Sequence, residues 1–270
     1  MYATDFEYDG KFLSDFGFIV CDFEGSGGLE TISAGSEITF NKVARNQGKV
    51  HSLTSANYAD CIQATFQICK NPCNHKSVLI VSDEHREIMR WLNRREFLKF
   101  QPFTDSEYDA EDIYFNASFN VSKIFVGGKL YGYEVIMETD KPFGYGNLRN
   151  YKWNISNTSQ VNNLKDYSDE MGFVYPNVKI VCKGNGDLRV SNVNEDCTMV
   201  IKNCKSGEII TIDGDTQIIT TSLSSHDIAA DFNFDFLRIG NRYDNRDNKI
   251  TVSLPCEITI SYYPVIKDIP

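Results

Sequence analysis

No window of this chain approaches the ~18 consecutive apolar residues that a membrane-spanning helix needs, so no membrane span is expected. Positive charge is in deficit. Lys and Arg number 27 against 37 Asp and Glu, a net charge of −10, with no basic stripe in either half. Such a chain is poorly suited to gripping phosphate backbones, so no specific nucleic-acid partner is expected. The opening MYATDFEYDG has neither a basic n-region nor an apolar h-region, and no secretory leader is expected. Without that route, the eight cysteines read as reduced thiols that behave as small buried hydrophobes. No Ala/Leu/Glu/Lys-rich stretch suggests a helical bundle. Nucleophile chemistry lacks its signature too. There is no G-x-S-x-G, and only His51, His75, His85 and His226 could serve a triad. Gly25-Ser-Gly27-Gly28 is followed by no Lys-Ser/Thr pair opening a helix, so it is not a phosphate loop.

What is abundant is aromatic carbon. With 18 Phe, 14 Tyr and a hydrophobic fraction of 41%, the chain can fill two packed cores, and these residues favour strands. The fold expected is mostly β. A boundary is expected at Tyr131–Gly146, where Tyr131, Tyr133, Val135 and Met137 alternate along one strand face. Pro142, Gly144 and Gly146 then stop the strand. This gives a first domain over 1–146 and a second over 147–270.

In the first domain, Phe16, Phe18 and Val20 alternate with Gly17, Ile19 and Cys21, so a strand covered on both faces is expected there. Residues 25–35 read as a Gly-rich arm, and 45–48 as a turn between strands 36–43 and 49–54. SDEHREIMRWLN over 82–93 is the one convincing helix, with Ser82 as N-cap and Ile88, Met89 and Leu92 as its apolar stripe. An acidic loop is expected over 104–112. Gly127-Gly128 should turn a long hairpin. In the second domain, 156–175 reads as a polar loop. Eight short strands follow, one of them over 232–239, which suggests a β-sandwich or jelly roll.

Several groupings could carry chemistry. Cys69-x3-Cys73-x-His75, with Cys61 nearby, has metal-type ligands but no second tight pair, so inert thiols are favoured and no metal is assigned. Cys197 and Cys204 could meet across a short hairpin, although two buried thiols is the favoured reading. His85 and His226 read as solvated surface. Glu134/Glu138 and the 105–112 cluster read as charged faces and loops rather than a glycosidase pair. Asp231, Asp235, Asp244 and Asp247 lack the order of a calcium loop. No catalytic residue and no cofactor is expected. Tyr151, Trp153, Tyr167, Phe173 and Tyr243 are the aromatics available to stack on a sugar, against core packing as the favoured reading.

The order of several motifs resembles the distal tail proteins (Dit) of tailed bacteriophages with Gram-positive hosts, with relatives in tailocins and defective prophages. The motifs are Phe6-x-Tyr-Asp-Gly with Leu13-Ser-Asp-Phe-Gly-Phe-Ile-Val, the Glu84–Asn93 helix followed by Phe97, and Asp140-Lys-Pro-Phe-Gly. Tyr175-Pro176, Gly207–Asp213 and Phe236-Leu-Arg-Ile-Gly-Asn241 ahead of Lys249-Ile-Thr-Val252 continue the pattern. The resemblance implies a β-sandwich-like belt domain with one short α-helix and a galectin- or carbohydrate-module-like β-sandwich. It also implies a structural role without catalysis: a homohexameric ring at the virion tail tip, joining the tail tube protein to the tail hub or tail-associated lysin. A receptor-binding protein or a cell-surface glycan is a further implied partner of the second domain. The alternative reading is a carbohydrate-binding protein acting through that sandwich.

Overall fold

The computed structural model describes residues 3–23, 36–44, 52–74, 77–103, 113–156 and 160–267. The expected arm at 25–35, the turn at 45–48 and the acidic loop at 104–112 lie outside the described residues. The chain forms two compact units, and most of it is antiparallel strand.

The first unit runs to Gly146 and also holds Ile266 and Lys267. Its strands are β1 (Asp5–Tyr8), β2 (Lys11–Phe12), β3 (Phe18–Cys21), β4 (Ile38–Ala44), β5 (Ser52–Tyr58) and β6 (Gln63–Lys70). Helix α1 (Ser82–Leu92) follows, then β7 (Leu98–Phe103), β8 (Phe115–Val126), β9 (Lys129–Thr139) and β10 (Gly144–Tyr145). Seven strands make one sheet in the order β2-β1-β7-β8-β9-β6-β3, while β4 and β5 pair with each other. The β8–β9 hairpin turns at Gly127 and Gly128, whose φ angles of 58° and 79° suit glycine.

The sheet curls. In the sheet order β1 and β6 are four strand spacings apart, roughly 19 Å if flat. Yet the rings of Phe6 and Phe66 lie 5.7 Å apart at their centroids, and Val20 N–H on β3 reaches Thr4 O at 3.2 Å. Aromatic bulk fills the hollow: Phe6, Phe66, Phe100 and Phe119 contact one another. Helix α1 closes it. Ile88, Trp91 and Leu92 are buried, and Trp91 Nε1 donates to Tyr8 O at 2.9 Å. Ser82 is not the cap. Val81 holds that position with no side-chain acceptor, and Glu84 Oε2 accepts from Val81 N–H at 2.9 Å instead.

The doubly covered strand expected from Phe16 onward is shorter than its pattern. Leu13–Phe16 form a 3-10 turn that ends at Gly17 with φ 74°, and only Phe18–Cys21 extend. Phe16 stacks on Trp91 at 4.4 Å and Phe18 is buried, so the unit's own core accounts for both rings.

The second unit spans Asn147–Val265. Its elements are β11 (Arg149–Ile155), β12 (Val161–Lys165), β13 (Gly172–Val174), β14 (Asn177–Cys182), β15 (Gly186–Asn192) and β16 (Cys197–Cys204). Then come β17 (Ile209–Asp213), β18 (Ile218–Thr221), the single turn α2 (Ile228–Asp231), β19 (Ile239–Asn241), β20 (Asp247–Val252) and β21 (Cys256–Tyr262). A five-stranded sheet, β11-β21-β14-β17-β18, and a four-stranded sheet, β12-β20-β15-β16, share one aliphatic core in a sandwich.

Three expectations change. The loop expected over 156–175 contains β12 and β13, hidden from the pattern because Asn162, a polar residue, points inward with Leu164. The strand expected over 232–239 does not form; Asn233 and Asp235 bond the β16 backbone through their side chains instead. Ile266, which lies in the last strand, β22 (Val265–Ile266), is buried in the first unit's core rather than the second's.

Candidate functional site

In the first unit, apolar side chains face outward in two neighbouring pairs, besides single ones such as Phe12, Val81 and Phe97. The β4–β5 ribbon carries Ile38 and Phe40, 47% and 64% exposed, and neither strand pairs with the seven-stranded sheet. Its root is held by Tyr58, whose ring meets Phe143 edge-on at 4.9 Å. The tip of the β8–β9 hairpin exposes Phe125 and Val126. Covering one such side chain is worth about 1.5–3 kcal/mol, so both places favour a partner surface. Strand β3 is partly closed by the bond from Val20 N–H to Thr4 O.

In the second unit, one end is fixed by buried amides. Asn248 Oδ1 accepts from Gly240 N–H at 2.8 Å and from Asn192 Nδ2 at 2.7 Å, while its Nδ2 donates to Gly240 O and Arg246 O. Asn241 Nδ2 donates to Ser168 O and Glu170 O. These bonds reach backbone groups of β19 and of the turns around it, and so hold them in place.

That rigid end presents an alternation of rings and charges. Phe173 on β13 pairs in register with Gly240, so the two share a face. The Glu195 carboxylate lies against Gly240, where any Cβ would collide with it. Arg242 Nη2 is 3.7 Å from Glu195, and the Arg238 guanidinium sits 5.4 Å above the Phe173 ring and 3.9 Å from Asp235. Next to Asp235, Phe234 is 65% exposed with φ 57°, a left-handed backbone that costs a bulky residue about 1–3 kcal/mol. Tyr243, at the tip of the turn after β19, is 90% exposed.

A third cluster is buried. His226 Nδ1 lies 2.6 Å from Glu208 Oε1 and its Nε2 lies 3.3 Å from Asp231. Thr221 Oγ1 and Lys205 N–H also donate to Glu208. Burial draws the His226 pKa down, but the Glu208 hydrogen bond and charge outweigh it and the net shift is upward. Burial raises Glu208, and the bonds from Thr221, His226 and Lys205 outweigh that, so it stays below the usual carboxylate range. His226 is therefore a packed, ion-paired residue rather than solvated surface. His85 likewise meets Tyr133 Oη at 3.0 Å from Nδ1, and desolvation lowers its pKa.

The remaining candidates are scattered. Cys69 is half-buried on β6 and hydrogen-bonded to Cys21, Cys73 is exposed, and His75 lies outside the described residues. Cys197 and Cys204 cannot meet, because they are the two ends of β16; both are buried. Among the described residues no group of three His, Cys, Asp or Glu side chains converges as a metal site. Asp231 and Asp235 are occupied by Asn203 Nδ2 and Thr198 N–H. Tyr151 and Trp153 pack against the sandwich core, and Arg149 covers Tyr167 at 4.1 Å, which leaves Phe173 and Tyr243 of the expected sugar-stacking set. Phe234 falls within the stretch 232–239, expected as a strand, and is not among the aromatics singled out from the sequence.

The chain matches two family descriptions: a phage tail protein N-terminal domain over residues 1–141 and a phage tail C-terminal domain over 143–262. No curated protein matches it. Among solved structures it is similar to the Dit protein (gp 19.1) of SPP1, described as a paradigm of the hub adsorption apparatus in phages infecting Gram-positive hosts. The TM-score is 0.67 at 11% identity, covering 96% of this chain and 98% of that one. At that identity the likeness speaks for the fold.

Proposed function

This chain belongs to the phage tail protein family, and on that premise we propose that its first unit closes into a ring of six copies. The ring joins the tail tube to the tail hub at the virion tip, and the second unit is its attachment module. The role is mechanical, with no reaction performed. A closed ring needs two different complementary patches on each protomer. The observation that carries this reading is the β4–β5 ribbon, which offers Ile38 and Phe40 outward. The hairpin tip with Phe125 and Val126 is the second patch. The acidic balance of the chain, −10, suits a lumen through which DNA must pass without adhering.

The test is native mass spectrometry and light scattering over a concentration series. A species of six chains is expected, and Ile38→Asp with Phe40→Asp should shift it towards the monomer without lowering the melting temperature. A strict monomer at every concentration would sink the ring.

A further inference from the structure

Each unit holds a pair of thiols hydrogen-bonded to each other, and the two pairs differ in access. Cys182 and Cys204 meet in the second unit's core, with Cys256 opposite Cys182 in register, and all three are buried. Thiols packed that way are inert. Cys21 and Cys69, in the first unit, are only half-buried.

The sheet register places this second pair. Cys21 on β3 stands opposite Gln67 of β6, and Cys69 stands opposite Ile19, so the two cysteines are diagonal neighbours on one face. Phe18, Phe66 and Ile68 are buried from the other face, so both thiols lie on the outward one. On its far side Cys69 pairs with Gly132 of β9. The missing side chain there leaves a notch that the Phe23 ring fills; a Cβ at Gly132 would come within 2.7 Å of that ring. Phe23 N–H also donates to Gln67 Oε1 at 2.9 Å. These contacts fold the chain just beyond Cys21 back across β6, which holds Cys21 against Cys69. The Cys21 S–H donates to Cys69, and that bond outweighs burial to hold the Cys69 thiol below its usual range. The same bond, with burial, pushes Cys21 up. Cys69 is the better nucleophile and Cys21 its resolving partner.

We propose that Cys21 and Cys69 are a thiol–disulfide site, which a small-molecule disulfide oxidises to a bond tying the edge strand β3 to β6. The Cys69 thiolate attacks one sulfur of the oxidant, whose S–S bond breaks and whose other half leaves as a thiolate. Cys21 then gives up its proton and attacks the Cys69 sulfur, expelling the second half. Two protein thiols are oxidised, one small disulfide is reduced to two thiols, and the protein's two protons end on the released sulfurs. The bond matters because β3 is the last strand of its sheet, four residues long, with β6 as its one neighbour there. The site needs only the first unit's own strands and does not rest on the ring.

The reduced full-length chain is incubated with oxidised glutathione under native conditions, free thiols are alkylated, and unreduced peptides are mapped by mass spectrometry. A Cys21–Cys69 linked peptide is expected, with Cys182, Cys204 and Cys256 alkylated only after denaturation. The oxidised chain should melt at least about 5 °C higher, because the bond closes a long loop in the unfolded chain, and dithiothreitol should reverse the rise. Cys21→Ser should lose the rise and retain glutathione on Cys69; Cys69→Ser should leave Cys21 free. Cys21 and Cys69 both still open to alkylation after oxidation, Cys69 linked to Cys73 instead, or an oxidised chain that melts no higher would each overturn the proposal.

Discussion

The two units solve the same problem with different atoms. The first is filled by rings, with Phe6, Tyr8, Phe18, Phe100, Phe115 and Tyr133 almost wholly buried. The second is filled by Ile, Val, Leu, Met and Cys, with Phe232 and Tyr262 its only fully buried rings among the described residues. Polar burial runs the other way. Asn162, Asp166, Ser168, Asn192, Glu208, Asn241 and Asn248 are buried in the second unit; Lys70, Gln101 and Thr139 are buried in the first. A single sheet that curls on itself leaves a wide hollow that only large side chains fill. Two facing sheets leave a layer about 10 Å thick that aliphatics fill, and their difficulty lies at the ends, where connecting backbone needs partners. Rings hold the first unit, and amides hold the loops of the second.

The sharpest way to break this contrast is Trp91→Ala. It removes the stacks with Phe6 and Phe16 and the bond to Tyr8 O, and should cost the first unit about 3–5 kcal/mol. Trp153 then remains the chain's only tryptophan and reports the second unit alone. Its fluorescence transition in urea should stay in place while the circular-dichroism transition of the first unit moves to lower denaturant. Movement of both together would show the two cores to be one.

Asn248→Ala comes next. It strips partners from Gly240 N–H, Gly240 O, Arg246 O and Asn192 Nδ2, and should cost the second unit about 2–3 kcal/mol. Hydrogen exchange should rise across 239–248. A cost under about 0.5 kcal/mol would mean that the amides do not hold the loops.

The Glu208–His226 pair makes the second unit sensitive to pH where the first lacks a comparable pair among the described residues. The raised His226 pKa contributes stability that is complete below its ordinary value of 6.5 and is lost as pH climbs through the folded value. The lowered Glu208 pKa contributes stability that is complete above its ordinary 4.5 and is lost as pH falls through the folded value. Both contributions therefore coexist between pH 4.5 and 6.5. His226→Gln should flatten the decline on the alkaline side, an effect of about 1 kcal/mol in denaturant midpoints measured across pH.

The smallest effect is a control within one strand. Phe119 is buried and Phe125 is 57% exposed, six residues along β8. Phe125→Ser should change stability by no more than about 0.5 kcal/mol, and Phe119→Ser should cost several times that. Equal costs would mean that the hairpin tip is packed after all.

Sequence reading succeeded where one face of an element is uniformly apolar. Helix α1 carries Ile88 and Leu92 on its stripe, and β8 alternates Phe115, Ala117 and Phe119 without interruption. It failed where buried polar groups replace apolar ones. Strand β12 hides behind Asn162, and the paired environment of His226 depends on Glu208, eighteen residues earlier. It failed again at 232–239, where Phe232, Phe234 and Phe236 alternate like a strand but Asn233 and Asp235 supply the bonding that a backbone would have made. The end of the second unit that carries Phe173 and Tyr243 was half legible. Phe173 and Tyr243 are visible as aromatics in a polar stretch, but the partnership of Glu195 with Arg242 requires the fold.

Because Ile266 comes home to the first core after the chain has built the whole second unit, that second unit is an insertion held at both of its ends. A protease cutting one connector would leave it leashed by the other. A foreign module with neighbouring termini could take its place as a cassette, provided the closing isoleucine is kept. Trimming the chain before Ile266 should injure the unit farthest away in sequence and spare the one just trimmed.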